Sequence, residues 1–217
     1  MGYVKSTRNL DKISEQAIDN FLSEFFYSKN FENFSFVKDK EKQISGIDVV
    51  VDELLIDNKA MSSPRYINNP ANTFILELLV QSEYRGEYLG WFINPNILTT
   101  HYLFVWVHEA DVNQGAYIKT SEQIQKIEVM LVDRKKLHAI INKVCDDNRL
   151  LDIAHSMITK NNRSISIKDF GYYNSPYFVY SNQLNEKPVN LVTPKAWLKE
   201  AAIKHCFVTK KEIMDIA

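Results

Sequence analysis

An α/β fold with a central mixed β-sheet flanked by helices is what this 217-residue sequence predicts. Three observations carry that expectation. An amphipathic helical stretch comes first, several apolar stretches of strand length follow it, and helical patterns return towards the end. With 45% apolar and 24% charged residues, the chain has the composition of an ordinary folded domain.

Residues 9–28 place Ile13, Ala17, Phe21 and Phe25 at spacing four, with Ile18 and Leu22 alongside. That spacing makes one apolar helix face. Residues 32–38 alternate like a short strand, and 39–43 (DKEKQ) read as a charged turn. The stretches 46–51 (GIDVVV) and 53–60 (ELLIDNKA) form a hairpin around Asp52 and Glu53. A loop rich in Pro, Asn and Ser covers 61–72. Residues 73–81 (TFILELLVQ) are almost uninterruptedly apolar, as a central strand requires. Strands are predicted again at 86–93 and 100–110, joined by the turn NPNILT.

From Ile127 to Val132 the pattern is a strand, and it becomes helical after Asp133, a suitable N-cap. Residues 146–192 are less regular, with short strands at 164–167 and 177–182. A last helix is predicted over 193–206, with Thr193 as N-cap and Pro194 at the first helical position. No repeat or Gly/Ser linker interrupts the chain. The expectation is a single domain over 1–217, with its core at about 10–145 and an elaboration at about 146–217.

Net charge is −1, which gives no overall electrostatic footprint for nucleic acid but leaves room for a local basic cleft. Cys145 and Cys206 stand far apart, so a disulfide framework and a zinc cluster are both disfavoured. The opening residues lack the apolar run of a secretory signal, and no stretch is long enough to span a bilayer. These features predict a soluble cytoplasmic protein without a membrane partner.

Asp48, Asp57 and Lys59 raise the chemical question. Alternate residues of a strand share a face, so Asp57 and Lys59 project together and Asn58 opposes them. Pairing of the hairpin brings Asp48 near Asp57. Two carboxylates held together repel unless a cation lies between them. Hard oxygen donors suit Mg2+ or Mn2+, and an adjacent lysine suits orientation of an attacking water. A solvated edge hairpin with an ordinary salt bridge is the plainer reading of the same residues.

The stretch GIDVVV…LLIDNKA resembles the core motif of the PD-(D/E)XK nuclease superfamily, which has the restriction-endonuclease-like fold. The resemblance spans roughly residues 10–110, by element order. It matches Asp48 to the first acid, Asp57 to the second, Lys59 to the lysine, and Glu24 to the helical glutamate that many members add to the metal site. It departs in two respects: Gly46-Ile47 rather than a proline precedes Asp48, and eight residues separate the two acids. The resemblance implies a Mg2+-dependent nuclease (Mn2+ substituting) with DNA as substrate. Asp48, Asp57 and Glu24 would hold the metal and Lys59 would orient water. A catalytically inactive domain of the same fold, binding nucleic acid or a protein, is the alternative. A homodimer is compatible with either.

Gln43, Arg65 and Tyr66 are candidate substrate contacts, the last two in a polar loop with Asn68, Asn69 and Asn72. Glu77 lies within an apolar strand, where it needs a partner. It is read as an outer acid of the site, a partner of Lys59, a further metal contact, or a carboxylate satisfied by an arginine or lysine. His101 and His108 read as strand histidines, Phe104 and Trp106 as core, and Arg134, Lys135 and Lys136 as a solvated helix face.

Overall fold

The computed structural model describes residues 8–167 and 175–216. The chain forms two compact units. The first takes residues 1–71, 99–132 and 202–217; the second takes 72–98 and 133–201. The boundary expected near residue 145 is therefore not where the contacts divide, because the last strands return to the first unit's sheet.

The first unit holds a seven-stranded mixed sheet. Its strands are β1 (Phe34–Phe36), β2 (Val49–Val51), β3 (Leu54–Ala60), β6 (His101–Ala110), β7 (Ile124–Asp133), β11 (Ala202–Thr209) and β12 (Ile213–Asp215), adjacent in that order. β2 and β3 form the expected antiparallel hairpin, while β3 and β6 run parallel. Alternation along the strands puts Val49, Val51, Ile56, Leu103, Val105 and Val107 into one buried cluster. Helix α1 (Arg8–Leu22) closes that cluster with Ala17, Ile18, Phe21 and Leu22.

Beyond Leu22 the helix widens into a π-helical turn, Ser23–Tyr27, before the short α2 (Ser28–Asn30). The buried residues step from Phe21 and Leu22 to Phe26 and Tyr27, a five-residue stride that matches π geometry. The four-residue spacing expected from the sequence therefore holds only in the middle of the helix. Ile13 is 43% exposed, and Ser14 is buried instead, its hydroxyl donating to the Ile118 carbonyl at 2.8 Å. The charged stretch expected as a turn contains α3 (Lys40–Ile44), because Asp39 caps it by accepting from the Glu41 and Lys42 N–H groups.

The second unit holds an antiparallel sheet in the order β5 (Gly86–Leu89), β4 (Thr73–Ser82), β10 (Pro188–Pro194), β9 (Tyr177–Tyr180), β8 (Ser164–Ser166). Phe74, Leu76, Leu78 and Val80 are buried on one face of β4, and Leu79 is buried on the other. The apolar run is thus a strand, but of a different sheet from Lys59. Gly90 passes so close to β4 that a Cβ there would lie 2.4 Å from the Glu77 carbonyl oxygen. Helices α4 (Arg134–Asn142), α5 (Asp147–Lys160) and α6 (Lys195–Ala201) complete the unit, and Asp133 caps α4 as expected. The final helix is shorter than predicted. Thr193 and Pro194 belong to β10, and β11 begins at Ala202, where β-pairing with β7 takes over. Among the described residues no helix is long and apolar enough to cross a membrane.

Candidate active site

β2 begins at Val49, so β3 runs past its partner after Ile56. The Asp48 N–H still reaches the Ile56 carbonyl at 2.9 Å. One step further the Asp48 side chain takes over the ladder, its Oδ2 accepting the Asn58 N–H at 2.9 Å. A carboxylate is thereby fixed at the edge of β3, within hydrogen-bonding reach of the Asp57 carboxyl.

Asp57 is only 3% exposed. Its Oδ1 lies 2.8 Å from the Lys59 ammonium, the same-face pair that strand alternation requires. Its Oδ2 is buried and has no hydrogen-bond donor among the described residues. The neighbouring Asp48 carboxyl offers only acceptors when ionised. Burial raises the Asp57 pKa to about 7, against the opposing pull of Lys59 and with a further push from Asp48.

On its other side β3 meets α1 through Asn58. The Tyr27 hydroxyl donates to Asn58 Oδ1 at 2.7 Å, and Asn58 Nδ2 donates to Asp19 at 3.0 Å. These two partners fix the amide orientation, since a phenol donates and a carboxylate accepts. Burial lifts the Asp19 pKa to about 6, and Asp48 and Glu15 add to the rise. Glu15 is raised too, by burial and then by Asp11, while Lys59 lowers it. Burial holds the Tyr27 phenol well above its usual range.

A cavity of about 510 Å3 opens beside Asp48. One wall is a single face of α1, with Gln16, Asp19, Asn20 and Ser23. The other is Phe36, Val37 and Lys38, with Gln43 of α3.

The structure thus brings Asp48, Asp57 and Lys59 together. It does not bring Glu24 to them: that residue is exposed on the π-helical turn, and the helix acids near Asp48 are Asp19 and Glu15. Gln43 lines the cavity and donates to the Val37 carbonyl at 2.8 Å. Arg65 lies over the Tyr66 ring at 5.5 Å, and neither lines the cavity. Asn68 takes φ +61 and braces its loop on Ala110 through two hydrogen bonds. Glu77 belongs to the second unit.

Phe104 and Trp106 are fully buried. His101 Nδ1 lies 2.9 Å from the Thr100 hydroxyl. Arg134 donates to the Ile97 and Asn94 carbonyls rather than facing solvent. His108 has a partner that the sequence reading missed. Glu128, 4% exposed on β7, sits with one oxygen 2.7 Å from His108 Nε2 and the other 2.9 Å from His205 Nε2.

Among the described residues no group of three or more His, Cys, Asp and Glu side chains is arranged to hold a metal ion. The Asp48–Asp57 pair still fits Mg2+, which commonly takes one or two carboxylates and completes its shell with water and substrate phosphate. The buried, donorless Asp57 oxygen is what a cation would satisfy. No family model, no curated protein and no solved structure matches this chain.

Proposed function

We propose that the protein is a metal-dependent nuclease that hydrolyses DNA phosphodiester bonds at the Asp48–Asp57–Lys59 cluster. One observation carries this reading. A buried carboxylate oxygen without a donor faces a second carboxylate, with an ammonium 2.8 Å from the first. That arrangement costs stability unless it serves a cation and a reacting group. The resemblance of this stretch to the PD-(D/E)XK motif points the same way.

Asp48 and Asp57 would hold Mg2+. When bound, the ion supplies positive charge that acidifies a water and stabilises the crowded phosphorus of the transition state. Lys59, tethered by Asp57, orients the attacking water and adds charge towards the phosphate. The Asn58 N–H holds Asp48 in place, and its side chain ties Asp19 to Tyr27. Asp19, its pKa lifted to about 6 by burial, lines the cavity beside Asp48 and would be a second carboxyl near the substrate.

The test is cleavage of supercoiled, linear and single-stranded DNA with Mg2+, Mn2+ or EDTA. Cutting is expected with either metal, absent in EDTA, and lost in Asp57→Ala and Lys59→Ala. DNA left intact in every form, by a protein that also binds no metal in calorimetry, would overturn the reading.

A further inference from the structure

The cavity beside Asp48 carries more than the cluster itself uses. We infer that it is a pocket for one unpaired nucleotide, so that the substrate is single-stranded, frayed or locally opened nucleic acid rather than intact duplex. This rests on the nuclease reading for its chemistry, though not for its binding.

Size is the first argument. At about 510 Å3 the cavity falls in the range of small-ligand sites, large enough for a base and sugar and far too small for a stretch of duplex. Lining is the second. Gln16, Asn20 and Gln43 present amides, each with donors and an acceptor, the pattern that reads the edges of an unstacked base. Phe36, partly buried and in edge contact with the Tyr27 and Phe34 rings, gives the lining an aromatic group that an extruded base can touch.

Charge placement is the third. Lys38 is the single cation lining the cavity among the described residues, and it is exposed at the end of the β1 wall. Asp48 is its close neighbour across the strands, its carbonyl accepting the Val37 N–H at 2.8 Å, and Asp19 is the other carboxylate of the lining. A nucleotide with its base among the amides can therefore set a phosphate by Lys38, next to Asp48. Gln16, Asn20, Lys38 and Gln43 are exposed; Gln16 donates to Asn20 Oδ1 at 3.1 Å and Gln43 to the Val37 carbonyl at 2.8 Å, which leaves each amide further hydrogen-bonding capacity.

The experiment uses the full chain in Ca2+, which occupies hard-oxygen sites but supports little cleavage. Oligonucleotides carry 2-aminopurine at one position, as single strands, frayed-end duplexes and blunt duplexes with an internal probe, in deoxyribose and ribose series. Binding with a fluorescence change is expected for single strands and frayed ends and not for internal duplex positions. The two sugar series show whether the pocket accepts DNA, RNA or both. Asn20→Ala and Lys38→Ala, both exposed and compatible with folding, are each expected to weaken single-strand binding roughly tenfold. Equal affinity for blunt duplex with a silent probe, or unchanged binding in both variants, would overturn the pocket. Cleavage of plasmid alongside such a result would leave the nuclease reading intact. Single-strand binding without cleavage in Mg2+ would keep the pocket and remove the nuclease reading.

Discussion

Asp57 and Glu128 are both buried carboxylates of the same seven-stranded sheet, and they differ in one respect. Glu128 has a histidine nitrogen at each oxygen, 2.7 and 2.9 Å away. Asp57 has Lys59 at one oxygen, no donor at the other, and a second carboxyl against it. A buried acid with both oxygens partnered is a structural clamp across three strands. One left short of donors and crowded by like charge is a candidate for a functional site, the reading proposed here for Asp57. Burial alone distinguishes nothing here; the balance of donors and acceptors does.

The largest expected effect separates the two acids by activity. On the proposed function, Asp57→Asn should reduce DNA cleavage by about 1,000-fold or more, because it removes charge from the pair proposed to hold the metal. Glu128→Gln, which keeps the shape, should leave cleavage within about threefold of wild type. Next comes stability. Glu128→Ala should cost about 3 kcal/mol, roughly 6–12 °C in Tm, since two histidine nitrogens lose their partner in the sheet. Asp57→Asn should instead raise Tm at pH 8 by roughly 3–6 °C in metal-free buffer. A fall at Asp57 as large as that at Glu128 would erase the contrast.

The pH dependence sharpens it. Asp57 has a folded pKa of about 7, above its ordinary value of 3.8. As pH rises, the unfolded chain therefore loses its proton before the folded one does. The stabilisation is complete below that ordinary value and is lost as pH climbs through about 7. Asp19, at about 6, acts in the same direction over a lower window. Thermal melts between pH 4 and 8 without metal should show falling stability, and Asp57→Asn should flatten much of the slope. Saturating Mn2+ should restore stability at the alkaline end, because metal and proton compete for the same oxygens.

Smaller effects test the surroundings. Asn58→Ala should lower cleavage roughly tenfold, since it frees Asp19 and Tyr27 while keeping the backbone N–H that holds Asp48. Asp19→Asn should shift the acidic limb of the pH–rate profile, and Glu24→Gln should change nothing beyond about twofold.

That last pair marks what the sequence could and could not say. Asp48, Asp57 and Lys59 were legible because a two-residue turn and strand alternation are local rules, and the hairpin pairs as those rules require. Glu24 was matched only by resemblance to a helical glutamate; it stands exposed on a π-helical turn, a change of geometry that no periodicity announces. The signal for Asp19 was present: it lies three residues after Gln16 and four after Glu15, on the face turned to the hairpin. Glu128, His108 and His205 come from three strands distant in sequence, so only tertiary pairing brings them together. The apolar strand at 73–82 was readable as a strand, but its sheet was not, because local pattern does not say which partners a buried strand will take.

The measurement that bears most directly on the contrast is a calorimetric titration of Mn2+ into wild type, Asp57→Asn and Glu128→Gln at pH 7.5. A site present in wild type and Glu128→Gln but lost in Asp57→Asn is the expected result, with protons released on binding. No binding to wild type, or binding that survives Asp57→Asn undiminished, would contradict the assignment of the Asp48–Asp57 pair to a metal.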